Sequence, residues 1–169
     1  VANANYDSSE QAMREQEGML LRALRIYEKT FGHDDPKIVV ALDGLADLYN
    51  LSTLYEPENH AKAEKIYERA LAIREKAYGK NHLKVAKSLG DLTHFHDIRG
   101  MEQNATSKIH REVAVALRKR HLAILEKAPG NNLSSISNVL NGMRSSAEYS
   151  KDFVEALKIA RRNTLLLRE

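Results

Sequence analysis

"LAIREKAYGKN" at Leu71–Asn81 returns as "LAILEKAPGNN" at Leu122–Asn132, and a third version, "LRIYEKTFGHD", runs from Leu24 to Asp34. The copies begin 47 and 51 residues apart. Laying Ala23–Tyr49 over Ala70–His96 gives nine identities in 27 positions, among them Leu24/Leu71, Ile26/Ile73, Gly32/Gly79, Leu42/Leu89 and Leu45/Leu92. Self-similarity at a long, nearly fixed period is the mark of a repeat architecture, in which each unit is one supersecondary element.

Each copy closes on a glycine, Gly32, Gly79 or Gly130, the residue that most easily takes the left-handed turn past a helix end. A new helix start follows, clearest at Asp35-Pro36, with Asp as cap and Pro in the first turn. Leu42, Leu45, Ala46 and Tyr49 then fall at i, i+3, i+4 and i+7 and make one apolar stripe. Its copies are Leu89, Leu92, Thr93 and His96, then Leu140, Met143, Arg144 and Ala147. A second helix in each unit carries Ala63, Ile66, Tyr67, Ala70 and Leu71 or their counterparts, and Asp152 to Glu155 reads as a capping box. The expected helices are 9–31, 36–53, 59–78, 83–99, 103–128, 133–149 and 152–168. Residues 1–8 are expected to be a disordered tail. Ala63, Ala105 and Ala156 are the small residues expected where paired helices cross.

The motifs "ALDGLADLY" and "AEKIYERALAIREKAYGKNH" resemble tetratricopeptide repeats, most closely those of the kinesin-light-chain type. The resemblance implies an all-α, right-handed α-solenoid: a leading helix 9–32 and three hairpins, 36–79, 83–130 and 133–168, in one array over 1–169. It also implies a non-enzymatic interaction or scaffold module whose first helices line a concave groove. The alternative is a structural segment of a larger or self-associating array, a homo-oligomer joined through its end helices.

Composition agrees. With 29% charged and 6% aromatic residues and no cysteine, the chain is of helix-forming, water-compatible type and has no thiol nucleophile, disulfide framework or cysteine-ligated zinc. No apolar run is long enough to span a bilayer, and no phosphate-binding loop, nucleophile elbow or zinc-protease motif occurs. No cofactor and no metal are expected. Asp91, His94 and Asp97, three apart on one helix, are weighed as a metal site and set aside, because three-point sites normally need a ligand from another helix. Arg118-Lys119-Arg120 and Arg161-Arg162 lack stacking aromatics, read as solvated faces and do not call for nucleic acid. A cytoplasmic location is expected, with periplasmic or secreted as the alternatives left by the Ala2-Asn3-Ala4 pattern.

Carried over position by position, the groove stripe is Asp43, Asp47 and Asn50; Gly90, His94 and Asp97; and Asn141, Ser145 and Glu148. Lys87, Asp91 and Asn138 stand beside it. The nine stripe positions hold four carboxylates and no Lys or Arg. The expected partner is therefore an extended neutral or basic peptide, with asparagines bonding its backbone.

Overall fold

The computed structural model describes residues 2–52, 58–102, 104–130 and 132–166. All regular structure among them is helical: α1 (Ala2–Phe31), α2 (Val39–Ser52) entered through a 3-10 turn at Pro36–Ile38, α3 (Asn59–Tyr78), α4 (Leu83–Met101), α5 (Ser107–Lys127), α6 (Leu133–Tyr149) and α7 (Phe153–Leu166). These follow the expected boundaries closely, with one correction at the start. The helix begins at Ala2 rather than residue 9, so the segment expected to be disordered is helical from Ala2 onward. Nothing between Ala2 and Glu17 is a glycine or proline, and a helix already nucleated extends until a breaker stops it.

The punctuation is as the sequence dictates. Gly32, Gly79 and Gly130 have φ of 94°, 82° and 100°, and Gly32 and Gly79 each return their N–H to the carbonyl four residues back at 2.9 Å. Asp35 Oδ1 accepts from Lys37 N at 2.8 Å, and Asp152 Oδ1 accepts from Glu155 N at 3.0 Å. Each side chain thus satisfies one of the backbone donors a helix start leaves open.

Packing divides the chain into two compact units, Val1–Gly79 and Lys80–Glu169. In the first, α1 and α3 both pack on α2, around a core of Ile38, Val39, Leu42, Ala70 and Ile73 with Leu24 and Ile66 against it. In the second, α4 pairs with α5, α5 with α6, and α6 with α7. Leu89, Leu92, Phe95, Leu122, Leu125 and Leu140 are buried there. Of the stripes read from the sequence, Leu42, Leu45, Ala46 and Tyr49 are buried, as are Leu89, Leu92, Thr93 and His96, then Leu140 and Ala147, while Met143 and Arg144 of the third are half-buried.

The close helix crossings fall at Ala63, Ala114 and Ala156, which are 0%, 0% and 5% exposed. Ala105, expected in that role, is exposed in the turn before α5. The extra residues of the middle hairpin therefore lie before the crossing, in a longer α4 and its turn, not after it. Counting back from the third repeated glycine instead of forward from His96 leads to Ala114, because the second helices keep their register from their C-terminal ends.

Candidate functional site

The expected groove positions turn out to be organised by the second helices, and each unit does this in its own way. In the first unit, Asp43 accepts from both terminal nitrogens of Arg74, at 3.3 and 2.8 Å, with side-chain exposures of 11% for the arginine and 15% for the aspartate. Two parallel N–H···O bonds to one carboxylate are the strong, orientation-specific form of an ion pair. Asp47 accepts from the Tyr67 hydroxyl at 2.6 Å. Asn50 is buried. Asp43 and Asp47 thus belong to the α2–α3 seam.

In the second unit, Lys87, Asp91, His94 and Asp97 of α4 and Asn138 of α6 line one cavity of about 670 Å3. Arg118, His121 and Leu125 of α5 lie between the two first helices. Glycines make room for this layer. A Cβ on Gly90 would stand 3.2 Å from His121 Cε1, and one on Gly142 would stand 2.6 Å from Arg118 Nε. The absence of side chains at two helix-interior positions, each costing roughly 1 kcal/mol in propensity, is thereby explained by the α5 side chains that fill the space.

Arg118 is 7% exposed. Its guanidinium donates to Asp97 Oδ2 and to Ser146 Oγ of α6 at 2.9 Å, so one cation joins α4, α5 and α6. Arg120 donates to the Lys80 carbonyl at 3.1 Å. The run Arg118-Lys119-Arg120, expected to be a solvated face, is therefore interior at its first residue and tied down at its third. Burial pushes the His121 imidazole below its ordinary range, which keeps the ring neutral near pH 7.

The remaining stripe residues lie along α6 outside this cavity. Asn141 Oδ1 accepts from Asn163 Nδ2 of α7 at 2.9 Å, Ser145 Oγ donates to the Asn141 carbonyl, and Glu148 accepts from Arg144 at 2.7 Å. Positions 43, 90 and 141, equated by the repeat alone, each meet the second helix of their own hairpin: Asp43 with Arg74, Gly90 with His121, Asn141 with Asn163.

The acidity of the stripe is offset. Asp43, Asp97 and Glu148 pair with arginines, and Lys87 Nζ reaches Asp91 Oδ2 at 2.6 Å. Lys87 and Arg144 stand on the first helices in view of the stripe, whereas Arg74 and Arg118 were missed because they sit on second helices, 31 and 21 residues downstream. The Asp91 and Asp97 carboxylates on either side of His94 are both engaged by cations. His94, Ser135 and Asn138 have no internal hydrogen-bond partner among the described residues. One further pair was not foreseen: His96 Nδ1 lies 2.8 Å from His110 Nδ1. Burial first, and the charge of His110 second, push His96 down to about 4.

Residues 52–105 match the tetratricopeptide repeat family model. Among solved structures, the chain is similar to BtubC (BKLC) from P. vanneervenii, at 17% identity and a TM-score of 0.74. The match covers 94% of this chain and 57% of that one, so the chain spans little more than half of its neighbour's length. None of the curated proteins matches. The fold is thus an all-α helical-repeat solenoid in class. No helix among the described residues is long and apolar enough to cross a membrane.

Proposed function

We propose that the chain is a non-enzymatic interaction module of the kinesin-light-chain type that takes an extended, neutral or basic peptide of a protein partner in the α4–α6 cavity. Tetratricopeptide repeats generally mediate protein–protein interaction or scaffolding. The observation that carries the reading is the combination of a cavity of about 670 Å3 between two first helices with wall residues His94, Ser135 and Asn138 that lack internal partners. An asparagine amide offers both a donor and an acceptor, the complement of one peptide unit, so a row of such groups suits a backbone laid along the helices.

The charge state narrows the occupant. Lys87 and Arg118 already hold Asp91 and Asp97, which leaves no unengaged cation on the lining to clamp a carboxylate, while Asp91 retains 27% of its side-chain exposure and can share an incoming lysine. Asn141, Ser145 and Glu148 extend the same wall along α6. Asp43 and Asp47 hold α3 and Asn50 is buried, so none of the three is assigned a ligand contact. The compartment we propose is the cytoplasm.

Selection from a displayed random-peptide library on the intact chain tests this. Selected peptides should be poor in Asp and Glu and should bind the Asn138→Ala variant roughly 5- to 10-fold more weakly, the cost of one to two backbone hydrogen bonds. The His94→Ala/Asn138→Ala double variant should lose more. Peptides that bind the double variant as well as the parent, or a selection dominated by acidic sequences, would overturn the assignment.

A further inference from the structure

By the repeat, α1 is a second-type helix: Leu24 to Asp34 is the first copy of Leu71 to Asn81. Every other second-type helix is paired with a first helix of its own hairpin, α3 with α2, α5 with α4 and α7 with α6. The face of α3 that holds α2 includes Ala63 at 0%, Ala70 at 1% and Ile73 at 4% exposure. Shifted by the repeat, the same face of α1 carries Gln16, Ala23 and Ile26, with Met19 beside them. Gln16 is exposed, Ala23 half-buried, and Met19 and Ile26 are 66% and 54% exposed. The adjoining flank of α1 is in use, since Leu24 packs on the first-unit core and Leu20, at the border of the two faces, lies against Gly44 of α2. That both sides of a second-type helix can be occupied at once is shown by α5, which packs on α4 and on α6.

The bare face has a spacing of its own. Ala12, Gln16, Met19, Ala23, Ile26 and Thr30 step by four and three residues in alternation, the seam of a two-helix coiled coil, with small residues that let a second helix come close. Along one edge run Glu15, Arg22 and Lys29, seven apart and all exposed. We propose that this face docks α1 of a second copy of the chain, the two helices packing antiparallel about a two-fold axis. Self-complementarity argues for that occupant. An antiparallel pair that sets Met19 against Ala23 of the other copy brings Glu15 alongside Lys29 of the other copy, and the symmetry makes the ion pair twice, as an isologous interface must. Arg22 then meets its own counterpart on the axis, which weakens the dimer without changing its register.

Sedimentation of the full chain from low micromolar to near-millimolar concentration reads this out. A reversible monomer–dimer equilibrium is expected, with the Met19→Glu/Ile26→Glu variant dissociating at least roughly tenfold more readily. Lys29→Glu alone and Glu15→Lys alone should each weaken the dimer, because each sets like charges together, and the Glu15→Lys/Lys29→Glu double exchange should restore it. All these positions are solvent-exposed or half-buried, and helix content by circular dichroism checks that each variant folds. A monomer at every concentration would overturn the proposal. So would a dimer indifferent to Met19→Glu/Ile26→Glu, one lost instead with Leu157→Glu on the exposed face of α7, or a double exchange that fails to restore association.

Discussion

Tyr67 on α3 and Arg118 on α5 stand 51 residues apart, the interval of the repeat, and each ends on an aspartate of its own first helix, Asp47 and Asp97. The tyrosine brings a neutral donor and leaves the Asp47 charge in place. The arginine cancels the Asp97 charge and continues to Ser146 on the next hairpin. The same position in the scaffold thus carries a neutral donor in one hairpin and, in the other, a cation that ties two hairpins together. Repeats conserve where a side chain reaches, while residue identity sets how far the link extends and what charge remains on the surface.

The largest consequence is expected at Arg118. Replacing it with Met keeps much of the stem but leaves Asp97 without its cation and Ser146 without its donor. Losing one partner of a buried pair costs about 3–5 kcal/mol, and the 28% exposure of the Asp97 side chain lowers this to about 2–4 kcal/mol. Denaturant unfolding should show it, and adding Asp97→Asn should recover part of the loss by removing the stranded charge. Gly142→Ala sharpens the test. It should destabilise the parent, where the new methyl meets Arg118 Nε, and be close to neutral or stabilising in the Arg118→Met background. An Arg118→Met variant as stable as the parent would show that the tie between α5 and α6 is carried by apolar packing alone.

A second contrast lies at Tyr49 and His96, equivalent members of the two apolar stripes. The tyrosine hydroxyl donates to Glu17 of α1; the histidine faces His110 of α5. Only the second places a buried imidazole whose proton affinity is lowered by folding. The unfolded chain takes up a proton at His96 below about pH 6.5, whereas the folded chain resists until about 4. Protons are thus bound preferentially by the unfolded state inside that window, and stability falls as pH is lowered from 6.5 to 4 and is level in this group below it. The expected loss is about 1–3 kcal/mol. It should be absent in His96→Gln, which keeps hydrogen-bonding capacity without the charge. Equal acid sensitivity of parent and variant would assign the effect to other groups.

What was legible in the sequence followed the repeat. Apolar stripes such as Leu42/Leu45/Ala46/Tyr49 are set by the helical period, and the turns by Gly32, Gly79 and Gly130, so seven helices could be placed from local chemistry. The site was legible only on its first-helix side. Of the residues lining the cavity, His94 and Asp97 were named because they hold repeat positions beside the apolar stripe, and Lys87, Asp91 and Asn138 because they stand next to those. Their partners Arg118 and His121 were not, because they come from a second helix whose register is counted from its far end. Ala105 was misplaced for the same reason. The bare face of α1 was visible only by setting Ile26 against Ile73: the two are identical in sequence and differ only in what covers them.

The smallest expected effect closes the comparison at Tyr67. Its ring is 3% exposed and packed in the α2–α3 seam, so Tyr67→Phe preserves the packing and removes only the hydroxyl that Asp47 accepts at 2.6 Å. Asp47 itself is exposed, and water replaces the lost donor, so the cost should be about 1 kcal/mol, at the level of a single neutral-to-charged hydrogen bond with no buried charge left behind. The ratio matters more than either number. If Tyr67→Phe and Arg118→Met cost the same, reach to the neighbouring hairpin adds nothing, and the two positions are energetically one. A loss at Arg118 two to four times larger, with an Asp47→Asn variant no more costly than Tyr67→Phe, assigns the difference to the buried charge and to Ser146.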